Sequence, residues 1–225
     1  MLPPRASFYS AKAQLYRSFL SSRQKLSSSS DDPDPVAEHV YLGGENSQRG
    51  ALALNITHVV QAAEELTPHF PDRFNYLRLP LADLEEQDLI THLPACIHFI
   101  EEALAAGGRV LLHCAAGVSR SAALALAWLM WRHHLSFPAA LTQLRSARPC
   151  VNPHPGFCLQ LRLFEAAQWR WEGWGGWSLD RFLLLRQEWG AQGHRLDASP
   201  GGVKGLAAAP SLPPPPSSPT SGGGG

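Results

Sequence analysis

Between Val40 and Phe164 the chain alternates short apolar runs with longer stretches of helical spacing. Val40-Tyr41-Leu42 reads as a first strand, followed by a small helical segment from Ala51 to Leu54. His58 to Ala62 and Tyr76 to Leu79 read as the second and third strands. From Leu89 to Ala106, residues Leu93, Cys96, Ile97, Ile100 and Leu104 recur at helical spacing, and Gly107-Gly108 supplies the stop. Arg109 to His113 predicts a fourth strand, apolar enough to be central. Ser119 to His133 is apolar on nearly every side, which predicts a buried helix. Ser136 can cap a helix running to Ala147, with Pro138 tolerated in its first turn. Pro155 opens a last helix with Phe157, Leu161 and Phe164 on one face. This alternation predicts an α/β domain with a central, mostly parallel sheet flanked by helices. A site in such a sheet lies beyond the carboxyl ends of the strands.

The ends depart from this pattern. Residues 1–34 form a basic, Ser-rich arm carrying Arg5, Lys12, Arg17, Arg23 and Lys25, with no acid before Asp31. Two readings share that composition: a mitochondrial transit peptide, or a basic disordered arm whose Pro3-Pro4 pair opposes a helix at the start. Residues 35–170 form the folded domain. Residues 171–225 hold Trp and Gly in alternation, then a short helix from Ser178 to Trp189 with Leu179, Phe182, Leu183 and Leu185 on an apolar side. That helix is expected to dock on the domain. From Ala191 onward Gly, Ala, Ser and Pro predict a disordered tail, so both terminal extensions are expected to be flexible. Its Pro213 to Pro216 run offers a short segment to a polyproline-reading domain.

A chain of 225 residues, 44% hydrophobic and 17% charged, holds one good core with length to spare. Its zero net charge argues against general nucleic-acid binding, and no stretch has the length of a membrane span. The four cysteines, Cys96, Cys114, Cys150 and Cys158, show neither a CxxC pair nor zinc-ligand spacing, and no secretory signal precedes them. A reduced compartment, cytoplasmic or nuclear, is expected; the mitochondrion follows if the basic arm is a targeting segment. Cys96 is expected in the core. Cys150 and Cys158 are either packed or partners for Cys114 on oxidation.

The most specific chemistry lies in Arg109 to Ser121, where an apolar strand ends on His113-Cys114 and Arg120 follows at the start of a helix. A turn of this kind aims successive backbone N–H groups into one concavity, and the helix dipole adds positive potential there. A cysteine in that field favours its thiolate form. Gly117 lets the loop close around an oxyanion, and Arg120 offers a planar fork for two phosphate oxygens. Ser119 stands at the helix start, where it can cap.

His113-Cys114-Ala115-Ala116-Gly117-Val118-Ser119-Arg120-Ser121-Ala122 resembles the signature of the cysteine-dependent protein-tyrosine phosphatase superfamily, in the version of the small atypical dual-specificity phosphatases. The resemblance implies Cys114 as nucleophile and Arg120 as catalytic phosphate ligand. It implies a substrate-binding loop of Ala115, Ala116, Gly117, Val118, Ser119 and Arg120. Ser121 would stabilise the departing thiolate, and His113 would orient the loop through hydrogen bonds instead of acting as a base. It further implies a general acid about thirty residues upstream, at Asp83. Glu85, Glu86 and Asp88 are rivals on the same loop, and they equally suit a solvated acidic lead into a helix N-terminus. His154, within Arg148-Pro149-Cys150-Val151-Asn152-Pro153-His154-Pro155-Gly156-Phe157, replaces an asparagine of the family pattern. Val60-Gln61-Ala62-Ala63-Glu64-Glu65 replaces its usual Asn-containing strand end.

The loop residues Ala115, Ala116 and Val118 are small and uncharged, whereas inositol-lipid phosphatases set lysines there to meet several phosphates. The resemblance therefore implies a protein phosphatase with a shallow pocket, admitting phosphotyrosine, phosphoserine and phosphothreonine, with no metal and no organic cofactor. Phosphoproteins are the expected partners. A phosphate-binding scaffold of low turnover and a lipid or RNA-end phosphatase are the alternatives.

Overall fold

The computed structural model describes residues 32–172 and 179–191. A five-stranded sheet organises them in the order β1-β2-β5-β3-β4. The strands are β1 (Asp34–Ala37), β2 (Val40–Gly43), β3 (His58–Ala62), β4 (Asn75–Leu79) and β5 (Val110–His113). β5 is central, and it pairs in parallel with β2 and β3, while β4 runs parallel to β3. Only β1 is antiparallel. Pro35 masks β1 in the sequence; a residue without an N–H is tolerated because the strand lies at the sheet edge. Gly43 of β2 and Gln61 of β3 both stand level with His113 of β5. Everything that follows these three positions therefore gathers along one rim of the sheet.

Strand alternation divides the apolar residues between two faces. Val110 and Leu112 join the large core formed with α2 (Leu93–Ala105), α3 (Arg120–His133), α4 (Phe137–Ala147) and α5 (Pro155–Ala166). Leu111 and Val59 turn the other way, onto Ala51, Ile56 and Phe74. In α3 every residue from Arg120 to Met130 is buried, as its continuous apolar run predicts. Ser136 caps α4, its hydroxyl accepting from the Ala139 N–H at 3.4 Å.

Three local details correct the sequence reading. The early helix, α1, spans Ser47–Ala51, and the expected Ala51 to Leu54 stretch is a turn that leads into Asn55 at φ +53°. The Leu89 to Ala106 helix opens with a 3-10 turn over Ile90–His92, and its α-helical part starts at Leu93 with Pro94 in the first turn. The last helix, α6 (Leu179–Ala191), buries Leu185 but exposes Leu183 and Leu184. Leu183 is thus not on its docked side, and the side chains of Leu179 and Phe182 lie outside the described residues. Arg186 of α6 reaches Glu85 at 3.6 Å. The basic N-terminal arm as far as residue 31, Trp174, Trp177 and the Pro-rich tail also lie outside the described residues.

Trp169 and Trp171 fold back on the core. The Trp169 indole N–H donates to the Leu135 carbonyl at 3.2 Å. Trp171 stacks on Phe164 at 6.4 Å between ring centroids and tilts against Trp131 at 6.2 Å. Phe164, fully buried among these rings, carries much of that packing. Phe164→Ala is expected to lower the unfolding free energy by about 3–5 kcal/mol. Leu52→Ala, at an exposed position, should change it by about 0.5 kcal/mol or less; urea unfolding of both variants checks the contrast.

Candidate active site

The rim between β5 and α3 is a loop in which four consecutive carbonyls, Ala115 to Val118, are tied to partners outside it. Ala115 O accepts from the Glu45 N–H at 3.1 Å, and Val118 O accepts from the Asn152 N–H at 2.9 Å. Between them, Arg148 Nη2 donates to Ala116 O at 3.1 Å and Nε to Gly117 O at 2.9 Å. The third arm of that guanidinium meets Asp34 Oδ2 of β1 at 2.6 Å. A peptide unit whose carbonyl is fixed outward presents its N–H inward, so these bonds shape an anion-binding concavity. Gly117 is required at its place. Its φ is +66°, and a Cβ there would stand 2.4 Å from the Gly43 carbonyl carbon and oxygen.

Cys114 sits at the base of this loop, only 2% exposed. Its sulfur accepts from the Gly117 N–H at 3.3 Å and from the Ser121 hydroxyl at 3.2 Å. The N-terminus of α3 faces it, adding favourable potential for negative charge. Ala115, Ala116 and Val118 complete the loop. Among the described residues, no group of three or more His, Cys, Asp or Glu side chains is placed to hold a metal ion. No described helix is long and apolar enough to cross a membrane.

Arg120 is buried, and its fork is engaged by Glu65: Nη1 reaches Glu65 Oε2 and Nη2 reaches Oε1, both at 2.7 Å. Nη1 also donates to the Leu81 carbonyl at 3.1 Å, while the buried Nε meets no hydrogen-bond partner among the described residues. Burial alone would ease loss of its proton. The charges of Cys114, Glu65 and Asp83 outweigh it and hold Arg120 above its ordinary range. Asp83 is buried at 8% exposure, on the loop after β4. The Ser119 hydroxyl donates to Asp83 Oδ1 at 2.5 Å and accepts from the His154 N–H at 3.0 Å. Ser119 thus does not cap α3 with its side chain; its hydroxyl is committed to tying the loop after β4 to the loop after β5. Two of the rival acids stand differently. Asp88 Oδ1 accepts from the Thr91 N–H at 3.1 Å, as a residue leading into a helix does, and Glu85 faces Arg186.

Arg148 and Glu65 carry no role in the sequence reading. Arg148 stands within the quoted Arg-Pro motif, but its partner Asp34 is 114 positions away, a pairing that no local pattern encodes. Glu65 lies just beyond the carboxyl end of β3, and that placement is the one signal that marks it. Gln61, within the segment that replaces the family's Asn-containing strand end, holds this turn by donating from Nε2 to Leu66 O at 2.8 Å. His154 also serves locally, its Nδ1 accepting from the Gly156 N–H at 3.3 Å. Cys96 and Cys158 are buried, Cys150 is half-buried, and no disulfide joins the four cysteines. Burial pushes the Cys96 thiol up to about 12.

His113 is fully buried, and neither ring nitrogen makes a hydrogen bond of good geometry among the described residues. The expected orienting contact is reduced to an approach of the ring to the Cys114 backbone; the loop carbonyls are held by Arg148, Glu45 and Asn152. Burial drives the imidazole down to about 4, with the nearby Cys114 backbone opposing and the charges of His69 and Arg120 adding. In the unfolded chain it titrates near 6.5. Between those values the unfolded state binds more protons, so stability falls as pH drops through this window. From pH 7.5 to 5 this group alone should remove about 2 kcal/mol. Urea midpoints of wild type and His113→Asn at both pH values check this: the variant should lose less on acidification.

The chain matches the family model described as dual specificity phosphatase, catalytic domain, over residues 40–167. It is 37% identical over 145 residues to dual specificity protein phosphatase 1B of Arabidopsis thaliana, spanning 63% of this chain and 87% of that protein. It is 36% identical over 156 residues to human protein phosphatase Slingshot homolog 3, covering 68% of this chain but 24% of that longer protein. The crystal structure of human DUSP28 superposes with a TM-score of 0.59 at 31% identity, covering 61% of this chain and 95% of that one. Fold, loop and match agree: the chain belongs to the dual-specificity phosphatases of the cysteine-dependent protein-tyrosine phosphatase superfamily, which are phosphoric monoester hydrolases.

Proposed function

We propose that this chain hydrolyses phosphotyrosine and phosphoserine or phosphothreonine monoesters in proteins through a cysteinyl-phosphate intermediate. The observation that carries the reading is the convergence of two donors on the Cys114 sulfur, inside a loop that Ser119 ties directly to Asp83. The phosphate enters the concavity, where the inward N–H groups of residues 115–120 and the unengaged Nε of Arg120 receive its oxygens. The Cys114 thiolate attacks phosphorus. As the S–P bond forms and the P–O ester bond breaks, Asp83 transfers its proton to the leaving oxygen. In the second half, Asp83 takes a proton from water, the water oxygen bonds to phosphorus, and the S–P bond breaks. Ser121, already donating to the sulfur, stabilises the thiolate as it departs.

Glu65 keeps the Arg120 fork in one orientation before substrate arrives, which lowers the ordering cost of binding. The small, uncharged walls at Ala115, Ala116 and Val118 suit a single phosphate on a protein side chain. A thiolate nucleophile works only when reduced, which favours the cytoplasm or nucleus as its place of work. Cys114→Ser should abolish turnover and phosphoenzyme formation on p-nitrophenyl phosphate and on phosphopeptides. Asp83→Asn should lose about 10²–10⁴-fold on phosphoserine peptides, and far less on p-nitrophenyl phosphate, whose leaving group needs little protonation. Turnover confined to a phosphoinositide, or a Cys114→Ser variant that retains activity, overturns this reading.

A further inference from the structure

Gln160 of α5 is fully buried, and both ends of its amide are committed to the loop that carries Asp83. Oε1 accepts from the Leu89 N–H at 2.8 Å and from the Ile90 N–H at 3.3 Å. Nε2 donates to the Gln87 carbonyl at 2.8 Å and to the Gly156 carbonyl at 3.3 Å. A primary amide has two donors and two acceptor sites, and here all four are used. Three of the four go to a backbone that runs outside regular structure into the 3-10 turn, where nothing else pairs those groups in a ladder.

The contact continues toward the site. Gln87 turns its own side chain back, and its Oε1 accepts from the Ala82 N–H at 2.9 Å, one residue before Asp83. One turn earlier on α5, Gly156 lies so close to the loop that a Cβ there would stand 2.3 Å from the Glu85 carbonyl oxygen. The Asp83 loop is therefore gripped at both ends. Ser119 holds the carboxyl to the phosphate loop, and α5 holds the backbone through Gln160, Gln87 and Ala82.

We propose that Gln160 is a positioning residue for proton donation: it fixes the acid loop in its working place before substrate binds, so that no closing movement is needed. This rests on Asp83 as the proton donor. A residue acting only on stability would slow every substrate alike. One that places a proton donor slows a substrate in proportion to its need for the proton.

The test compares kcat/KM on p-nitrophenyl phosphate, phenyl phosphate and a phosphoserine peptide for wild type, Gln160→Met, Asp83→Asn and the double variant. Methionine keeps similar volume and removes all four hydrogen bonds. Gln160→Met should lose about tenfold or more on phosphoserine and phenyl phosphate, and markedly less on p-nitrophenyl phosphate. In the Asp83→Asn background the same substitution should add almost nothing, because the group it positions is gone. An equal loss on all three substrates, or a full additional loss in the double variant, overturns the inference. Gln160→Glu, which keeps the acceptor to Leu89 and Ile90 and loses the donations to Gln87 and Gly156, gives the same comparison should the methionine variant fold poorly; its loss should follow the same order of leaving groups. A steep leaving-group dependence in Asp83→Asn with a flat one in the Gln160 variants sinks the Gln160 assignment alone. A flat dependence in Asp83→Asn removes the proton-donor reading and this inference with it.

Discussion

Four consecutive carbonyls, from Ala115 to Val118, point away from the centre of the loop because each has a partner on the outside. That single constraint produces the site. A free loop of this length would present a mixture of donors and acceptors to an incoming phosphate, and the carbonyls would repel it. With these four carbonyls occupied, the inner surface is left to N–H groups, a helix N-terminus and one guanidinium. The partners come from three separate places: the turn after β2, the segment before α5, and Arg148 at the end of α4. The loop is therefore a product of the whole fold and not of its own residues.

Two buried arginines divide the electrostatic work. Arg148 is paired with Asp34 and spends its remaining donors on backbone, so its charge serves shape. Arg120 is paired with Glu65 through both terminal nitrogens, yet Nε is left over. Each guanidinium thus carries its own carboxylate, which is what makes its burial tolerable, since an unpaired buried charge is strongly destabilising. A chain of zero net charge holds this concentrated positive site because the compensation is local, residue against residue.

The parallel core was legible in the sequence because each of its strands is a short apolar run and each helix repeats at its own period. β3, β5 and α3 to α5 fall within a residue or so of where the pattern puts them. β1 escaped because its Asp34 falls in the segment read as the N-terminal arm and Pro35 lacks an N–H, so that only the sheet edge makes it a strand. The juxtaposition of Cys114, Arg120 and Asp83 was legible because spacing along the chain and a family motif bring them to one rim. Glu65, Arg148 and Gln160 were not, since each matters through a partner that folding alone brings near. Ser119 shows the limit from another side. Its place at a helix start suggests a cap, but a carboxylate and an amide from two other loops claim the hydroxyl first.

The family match starts at residue 40, yet the anion that anchors Arg148 is Asp34 in the strand before it. A fragment trimmed to the homologous boundary would keep Cys114, Arg120 and Asp83. It would also forfeit the edge strand and strand a buried cation beneath the phosphate cradle. The smallest excised piece that retains a properly shaped cradle must therefore begin upstream of the family match, at or before Asp34.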